Sequence, residues 1–458
     1  MLRLIILAAL LVLAIIEYKK PLNKTVFPIV FGVVTLFLAL RGGQGTDYFS
    51  YNHIYNDFEA SWTSGQYEYG YLALNRIFSF FDLPFWSFIL FYSFLLMGLS
   101  YIIISKTCKN KFMGLFVLYS MYFLQFFENG IRQALAMVIV LMGLWLATKK
   151  EKVWFLLGAV VIAYFIHTSA VIAVGMIIPY VFVKNEKLRH FLRKHRYVLL
   201  IVFALLCIGL TVFNYLGFLE KLIEVLPASF RERFITYLSR DSSIMALLSR
   251  IAFLAGIVFL YIGSRDKHTN IEKTFFYTYL LGFLLYCALS RFDIISSRLN
   301  AYYKITEICL IPNCLKTFDF ATYKKPNWLR IIRRPIKYAA ALGMCTLLCF
   351  MYVKTCKDVM NQSNYYNESY LYPYYSIFEI KELYGKRGAP YYMNKEFYDS
   401  VERPNPRYIG YGDNLSNNYF SSPISSQEFE EFDCYNSESN YGTLDPLTEN
   451  GYLPRILS

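Results

Sequence analysis

Apolar runs of about 16 to 21 residues recur along the chain, beginning near residues 2, 25, 84, 112, 131, 197, 243, 274, 299 and 338, with short polar or basic stretches between them. A hydrocarbon core roughly 30 Å thick takes about 20 helical residues to cross, so the pattern predicts ten membrane spans. The segment "VWFLLGAVVIAYFIHTSAVIAVGMIIPYVFV", residues 153–183, breaks the pattern. As one helix it would run roughly 46 Å, too long for one span and short for two. Basic clusters flank it on both sides, "KKEK" at 149–152 and "KNEKLRHFLRKHR" at 184–196. Basic loops stay cytoplasmic, so the chain between them must cross an even number of times. The expectation is two short helices meeting near His167, and about twelve transmembrane helices in all.

In this arrangement the basic loops at 18–24, 106–111, 149–152, 184–196, 264–273 and 316–337 fall on one side. The other side receives 41–83, 127–131, 166–169, 216–242, 291–298 and everything after about 355. Residues 1–17 show no convincing small-residue cleavage site and lead into another apolar run, so they count as a span. "YGYLALNRIFSFF" at 69–81 has apolar positions at helical spacing and ends at "DLP", which predicts an amphipathic helix on the outer surface. A second such segment is expected at 216–242, with a proline break. The last hundred residues turn rich in Tyr, Asn, Ser and acidic residues, giving a transmembrane domain over 1–354 and an external tail or small domain over 355–458.

Composition agrees with a polytopic all-α membrane protein: 56% of the 458 residues are hydrophobic and only 17% charged, which excludes an ordinary soluble enzyme. The net charge of +13 sits mostly in the short loops as a topology signal, so no nucleic-acid partner is expected. Nine cysteines show no metal-ligand spacing, and no metal or cofactor is expected. Charge type is more informative. The outer segments short of the tail carry arginine almost alone (Arg41, Arg76, Arg132, Arg231, Arg233, Arg240, Arg291 and Arg298, against Lys221), contrary to the positive-inside trend. A planar guanidinium fork suits phosphate.

Inward-running helices begin on that outer face, and their N-termini offer free N–H groups and a positive dipole end. "ENGIRQ" places Arg132 and Gln133 at one such start, "HTSA" places His167, Thr168 and Ser169 at the next, and "DIISSR" places Arg298 at another. Together they predict a pyrophosphate site. Structural alternatives stand beside each: an Arg132–Glu128 bridge, ordinary Ser and Thr caps, a hydrogen-bonded membrane histidine. Asp47 in "GTDY" follows a glycine-rich turn and is a candidate general base, or a helix cap opening the next segment. Asp57 and Glu59 form a D-x-E of the kind used in some metal-assisted transferases, a pair that also arises commonly by chance.

Taken together, "R-x-x-x-GTDY-x-x-Y" (Arg41, Gly45, Thr46, Asp47, Tyr48, Tyr51), "IRQALA", "HTSA" and "SRLNAYY" resemble the EpsG family, related to Wzy-type polysaccharide polymerases, over roughly residues 25–380. The resemblance implies a C-type glycosyltransferase fold in the bacterial inner membrane, active on its outer face. It implies a substrate of undecaprenyl-pyrophosphate-linked repeat units, with a chain-length regulator and a flippase as partners in the same synthesis. For a reaction of that kind our assignment is Arg132, Gln133 and Arg298 to pyrophosphate or substrate, Arg41 to a further anion contact, Asp47 to the base, and His167 to orientation or an alternative base. A lipid-linked oligosaccharide flippase and an O-antigen ligase are the competing functions.

Overall fold

The computed structural model describes residues 2–42, 47–56, 58–63, 65, 67–215, 244–264, 268–290, 292–318, 328–361 and 376. The segment 216–242, Arg291, Asp57 and almost all of the tail beyond 361 therefore lie outside the described residues. Those described are almost wholly helical, with no strand among them and one isolated β-bridge, Arg41 with Ser376. The helices are α1 (Leu2–Lys19), α2 (Val26–Ala39), α3 (Tyr48–Asn56), α4 (Phe58–Thr63), α5 (Tyr69–Phe80), α6 (Phe85–Thr107) and α7 (Lys111–Leu118). A π-helix, Tyr119–Asn129, leads to α8 (Ile131–Lys150) and α9 (Trp154–Ile166), and a 3-10 helix, Thr168–Met176, leads to α10 (Ile177–Lys184). Then come α11 (Glu186–Lys194), α12 (Arg196–Tyr215), α13 (Ile244–Gly263), α14 (Asn270–Ala288), α15 (Asp293–Lys304), α16 (Glu307–Thr317) and α17 (Trp328–Asn361).

Phe85–Thr107, Ile131–Lys150 and Pro335–Lys357 are long and apolar enough to cross a membrane, by length and composition. Val26–Ala39, Trp154–Ile166, Thr168–Lys184, Val198–Val212 and Leu247–Gly263 are shorter apolar helices. Residues 153–183 break at His167, which takes an extended conformation between α9 and the 3-10 helix. The run near 299 is split between α15 and α16, where the Thr306 hydroxyl donates to the Tyr303 carbonyl at 2.8 Å. Such back-bonding competes with helix continuation. α17 continues through position 355 to Asn361, past the boundary expected from composition.

The chain divides into two compact units. The first takes Met1–Val33, Leu96–Phe126 and Ile131–Tyr352. At one end of it the basic loops meet. Lys184 Nζ donates to the Glu151 carbonyl at 3.0 Å, so the chain leaves along α9 and returns along α10 to where it started. Arg189 reaches Asn270 Oδ1 at 3.5 Å, and Lys109 pairs with Glu272 at 2.8 Å. Lys316 donates to the Tyr18 carbonyl at 2.9 Å, and the Phe112 amide donates to Glu17 Oε2 at 2.9 Å. These bonds link all six basic segments at one end, as charge distribution led one to expect. Glu272 also closes a capping box with Thr269 at the start of α14. Burial pushes its carboxyl up, but bonds from His268, Lys109 and the Thr269 amide outweigh this and hold it down at about 2.

The second unit takes Val34–Leu95, Phe127–Gly130 and Val353–Ser458. Its α5 covers the amphipathic stretch read at 69–81. The tyrosines of "DYFSYNHIYND" are its core: Tyr48 and Tyr55 pack edge-on or tilted against Phe85 at 5.3 and 5.6 Å, and Tyr51 lies 6.0 Å from Tyr71. Offset and edge-to-face contacts of this kind stabilise beyond their buried area.

Candidate functional site

Opposite the basic loops, about 30 Å away along the 20 residues of α8, the first unit presents the start of α8, the break at His167 and α15. Arg132 and Gln133 occupy the first turn of α8, the positive end of the helix dipole. Gln133 is buried, and its Nε2 donates to the Arg298 carbonyl at 2.6 Å. The 3-10 helix joins the same corner: the hydroxyls of Ser169 and Tyr302 share a hydrogen bond of 3.0 Å, and the Tyr303 hydroxyl donates to the Ile172 carbonyl at 2.6 Å. Gly175 permits this approach, since a Cβ there would collide with the Tyr303 hydroxyl. Three segments far apart in sequence, "IRQ", "HTSA" and "SSRLNAYY", are thus tied side by side. Their polar atoms can hold an anion through arginine forks and first-turn amides.

Each expected residue has its place. Arg132 is partly buried and is the second residue of α8. Gly130 falls outside both the π-helix and α8, so Glu128 and Arg132 do not share one helical register. His167 is partly exposed and sits at the cap of the 3-10 helix, its carbonyl accepting from Ala170 at 2.9 Å. Arg298 corrects the expectation of a helix start. It is the sixth residue of α15, which opens at Asp293, and it is exposed. Dipole and amide effects fade within the first turn, so Arg298 would contribute its guanidinium without them.

Arg41 and Asp47 belong to the second unit. Arg41 is 2% exposed, and its guanidinium donates to the Leu38 carbonyl at 2.7 Å, Ser93 Oγ at 3.3 Å and the Glu128 carbonyl at 3.4 Å. These bonds make it a tie between the end of α2, α6 and the segment before α8. Asp47 is partly buried and precedes α3, its carbonyl accepting from the Tyr51 amide at 3.0 Å, which is the cap position the sequence allowed.

Sequence reasoning passed over a buried ionisable group in the first unit. Glu307 is fully buried, accepts from the Tyr122 hydroxyl at 2.9 Å and lies 4.0 Å from Lys304 Nζ. Tyr122 comes from the π-helix, a rare conformation often found at functional places. The signal was present in "YYKITEICLIP", where a lysine and a glutamate interrupt an apolar run. Among the described residues no group of His, Cys, Asp and Glu could hold a metal ion.

No curated protein and no solved structure matches the chain. A family model does match, over residues 24–352, a stretch that includes "IRQ", "HTSA" and "SRLNAYY", and by that match the chain belongs to the EpsG family.

Proposed function

We propose that the protein is a polysaccharide polymerase that moves a growing glycan from undecaprenyl pyrophosphate to a sugar hydroxyl of the next lipid-linked repeat unit, on the outer face of the bacterial inner membrane. The reading is supported by membership of the EpsG family and by apolar helices suited to a membrane. The observation that carries it to particular residues is the 2.6 Å bond from Gln133 to the Arg298 carbonyl, which fastens an arginine-bearing helix to an arginine-bearing helix start. The acceptor oxygen attacks the anomeric carbon, the bond from that carbon to pyrophosphate breaks, and undecaprenyl pyrophosphate leaves with the electron pair. Arg132 and Arg298 stabilise the growing charge on the leaving group, and a base takes the acceptor proton. The leaving group carries the energy, so the reading needs no nucleotide. Arg41 contributes by holding its segment.

Asp47 is the first choice as base and His167 the second or its orienter. Asp47→Asn keeps shape and removes charge. Loss of polymer at normal protein level supports Asp47, whereas full-length polymer from that variant transfers the role to His167, to be checked with His167→Ala. Proteoliposomes loaded with labelled lipid-linked repeat units separate the competing functions. Polymer ladders support the proposal, transbilayer movement without elongation indicates a flippase, and transfer only to a lipid A core acceptor indicates a ligase.

A further inference from the structure

Within the first unit lies a cavity of about 20 Å³ lined by Ser249, Arg250, Tyr279, Asn300 and Lys304, with apolar walls from Phe253, Phe283 and Met351. That volume accommodates roughly one water-sized group. Its polar lining is rich in donors: a guanidinium, an ammonium, an amide and two hydroxyls. The carboxylate set against these cations among the described residues is Glu307, which pairs loosely with Lys304 at 4.0 Å and does not line the cavity. Arg250 rests 4.1 Å over the Tyr286 ring, a partner that attracts a cation without neutralising it.

Two cations thus face one carboxylate beside the apolar walls of Phe253, Phe283 and Met351. Arginine does not give up its proton in a protein, and charges at membrane depth are partnered or face a polar cavity. Tyr279, on the cavity wall, is the central residue of α14, so the cavity lies beside the mid-length of that helix. The excess asks for a negative group, and the free space beside Arg250 and Lys304 is where one fits. We propose that this cavity is an anion site that seats a terminal oxygen of a phosphate group between Arg250 and Lys304. The phosphate is either free inorganic phosphate or the phosphate of a polyprenyl lipid, the second source resting on the polymerase reading.

The test uses the full chain in lipid nanodiscs and equilibrium binding of radiolabelled inorganic phosphate at constant ionic strength. Saturable binding is expected in the parent and in Arg189→Gln, a distant surface change. Arg250→Gln and Lys304→Gln should each weaken it about ten-fold or more, about 1.4 kcal/mol per decade. Ser249→Leu, which fills the space without removing a charge, should also abolish it and covers the case in which a charge variant fails to fold. Competition by undecaprenyl phosphate in the disc assigns the lipid source, and its failure to compete assigns free phosphate. The proposal is overturned by absence of saturable phosphate binding in the parent, by equal binding in all three cavity variants, or by tighter binding of chloride than of phosphate. Binding is read without polymerisation. An inactive protein that binds phosphate here counts against the polymerase reading alone, and a polymerising protein that does not counts against this site alone.

Discussion

Gln133 joins α8 to α15 through one amide nitrogen, and its own burial leaves it few alternatives. Gln133→Leu removes the donor, while the Arg298 carbonyl keeps its place in the α15 ladder, at a cost of about 0.5–1.5 kcal/mol. The expected outcome is a lower midpoint of thermal unfolding in detergent and less polymer per folded molecule. Gln133→Glu keeps the shape but sets a carboxylate oxygen against the carbonyl, so it should be at least as damaging. A pair of variants that melt and polymerise like the parent would remove Gln133 from the account. The sequence made Arg132 and Gln133 visible because "IRQ" opens a run after a glycine. It did not make visible that Arg41 is buried in carbonyl and hydroxyl bonds, since burial of an arginine depends on Leu38, Ser93 and Glu128 converging from separate segments.

Helices α8 and α9 lie close enough for backbone to matter. A Cβ at Gly143 would collide with the Ala159 side chain and stand 2.9 Å from the Phe155 carbonyl, whereas one at Gly158 would meet nothing within 4 Å. Small residues at helix interfaces in membranes serve this approach. Gly143→Val should therefore cost about 1–3 kcal/mol by overpacking, while Gly158→Val should be nearly neutral. Unfolding midpoints of the two variants check the contrast. The start of α14 gives a pH-dependent expectation. The Glu272 carboxyl is held at about 2, below its ordinary 4.5. Its stabilising contribution is complete above about pH 4.5 and is lost as pH falls towards 2. Glu272→Gln should lower the unfolding midpoint at pH 7, and the difference from the parent should shrink below pH 4.5. A difference unchanged at pH 3 would contradict the assignment. Length and flanking charge foretold the break at His167, and spacing the extent of α5. It did not foretell that α15 begins five residues before Arg298 or that Thr306 interrupts the following run, because periodicity marks apolar faces and is silent on local hydroxyl bonds.

For the molecule as a whole, charge was the most legible feature. Alternating basic loops imply a common end, and the bonds Lys184 to Glu151, Arg189 to Asn270 and Lys109 to Glu272 provide it. Single cysteines at positions 150 and 194 should be labelled from the same side of the membrane and one at 168 from the other. Opposite labelling at 150 and 194 would contradict the out-and-back path of residues 153–183. What charge could not supply was the meeting of "IRQ", "HTSA" and "SSRLNAYY", which depends on tertiary packing of helices far apart in the chain. The most direct test of that corner as a polymerase site is elongation of purified undecaprenyl-pyrophosphate-linked repeat units by the reconstituted protein and by its Arg132→Lys and Arg298→Lys variants. Lysine keeps the charge but not the two parallel bonds of a guanidinium. A lost charge-assisted contact of about 1.5–3 kcal/mol, if it falls on the transition state, slows elongation roughly 10- to 100-fold. The account predicts long polymer from the parent and accumulated single repeat units from both variants at equal folded protein. Polymer of normal length and rate from both variants would contradict it.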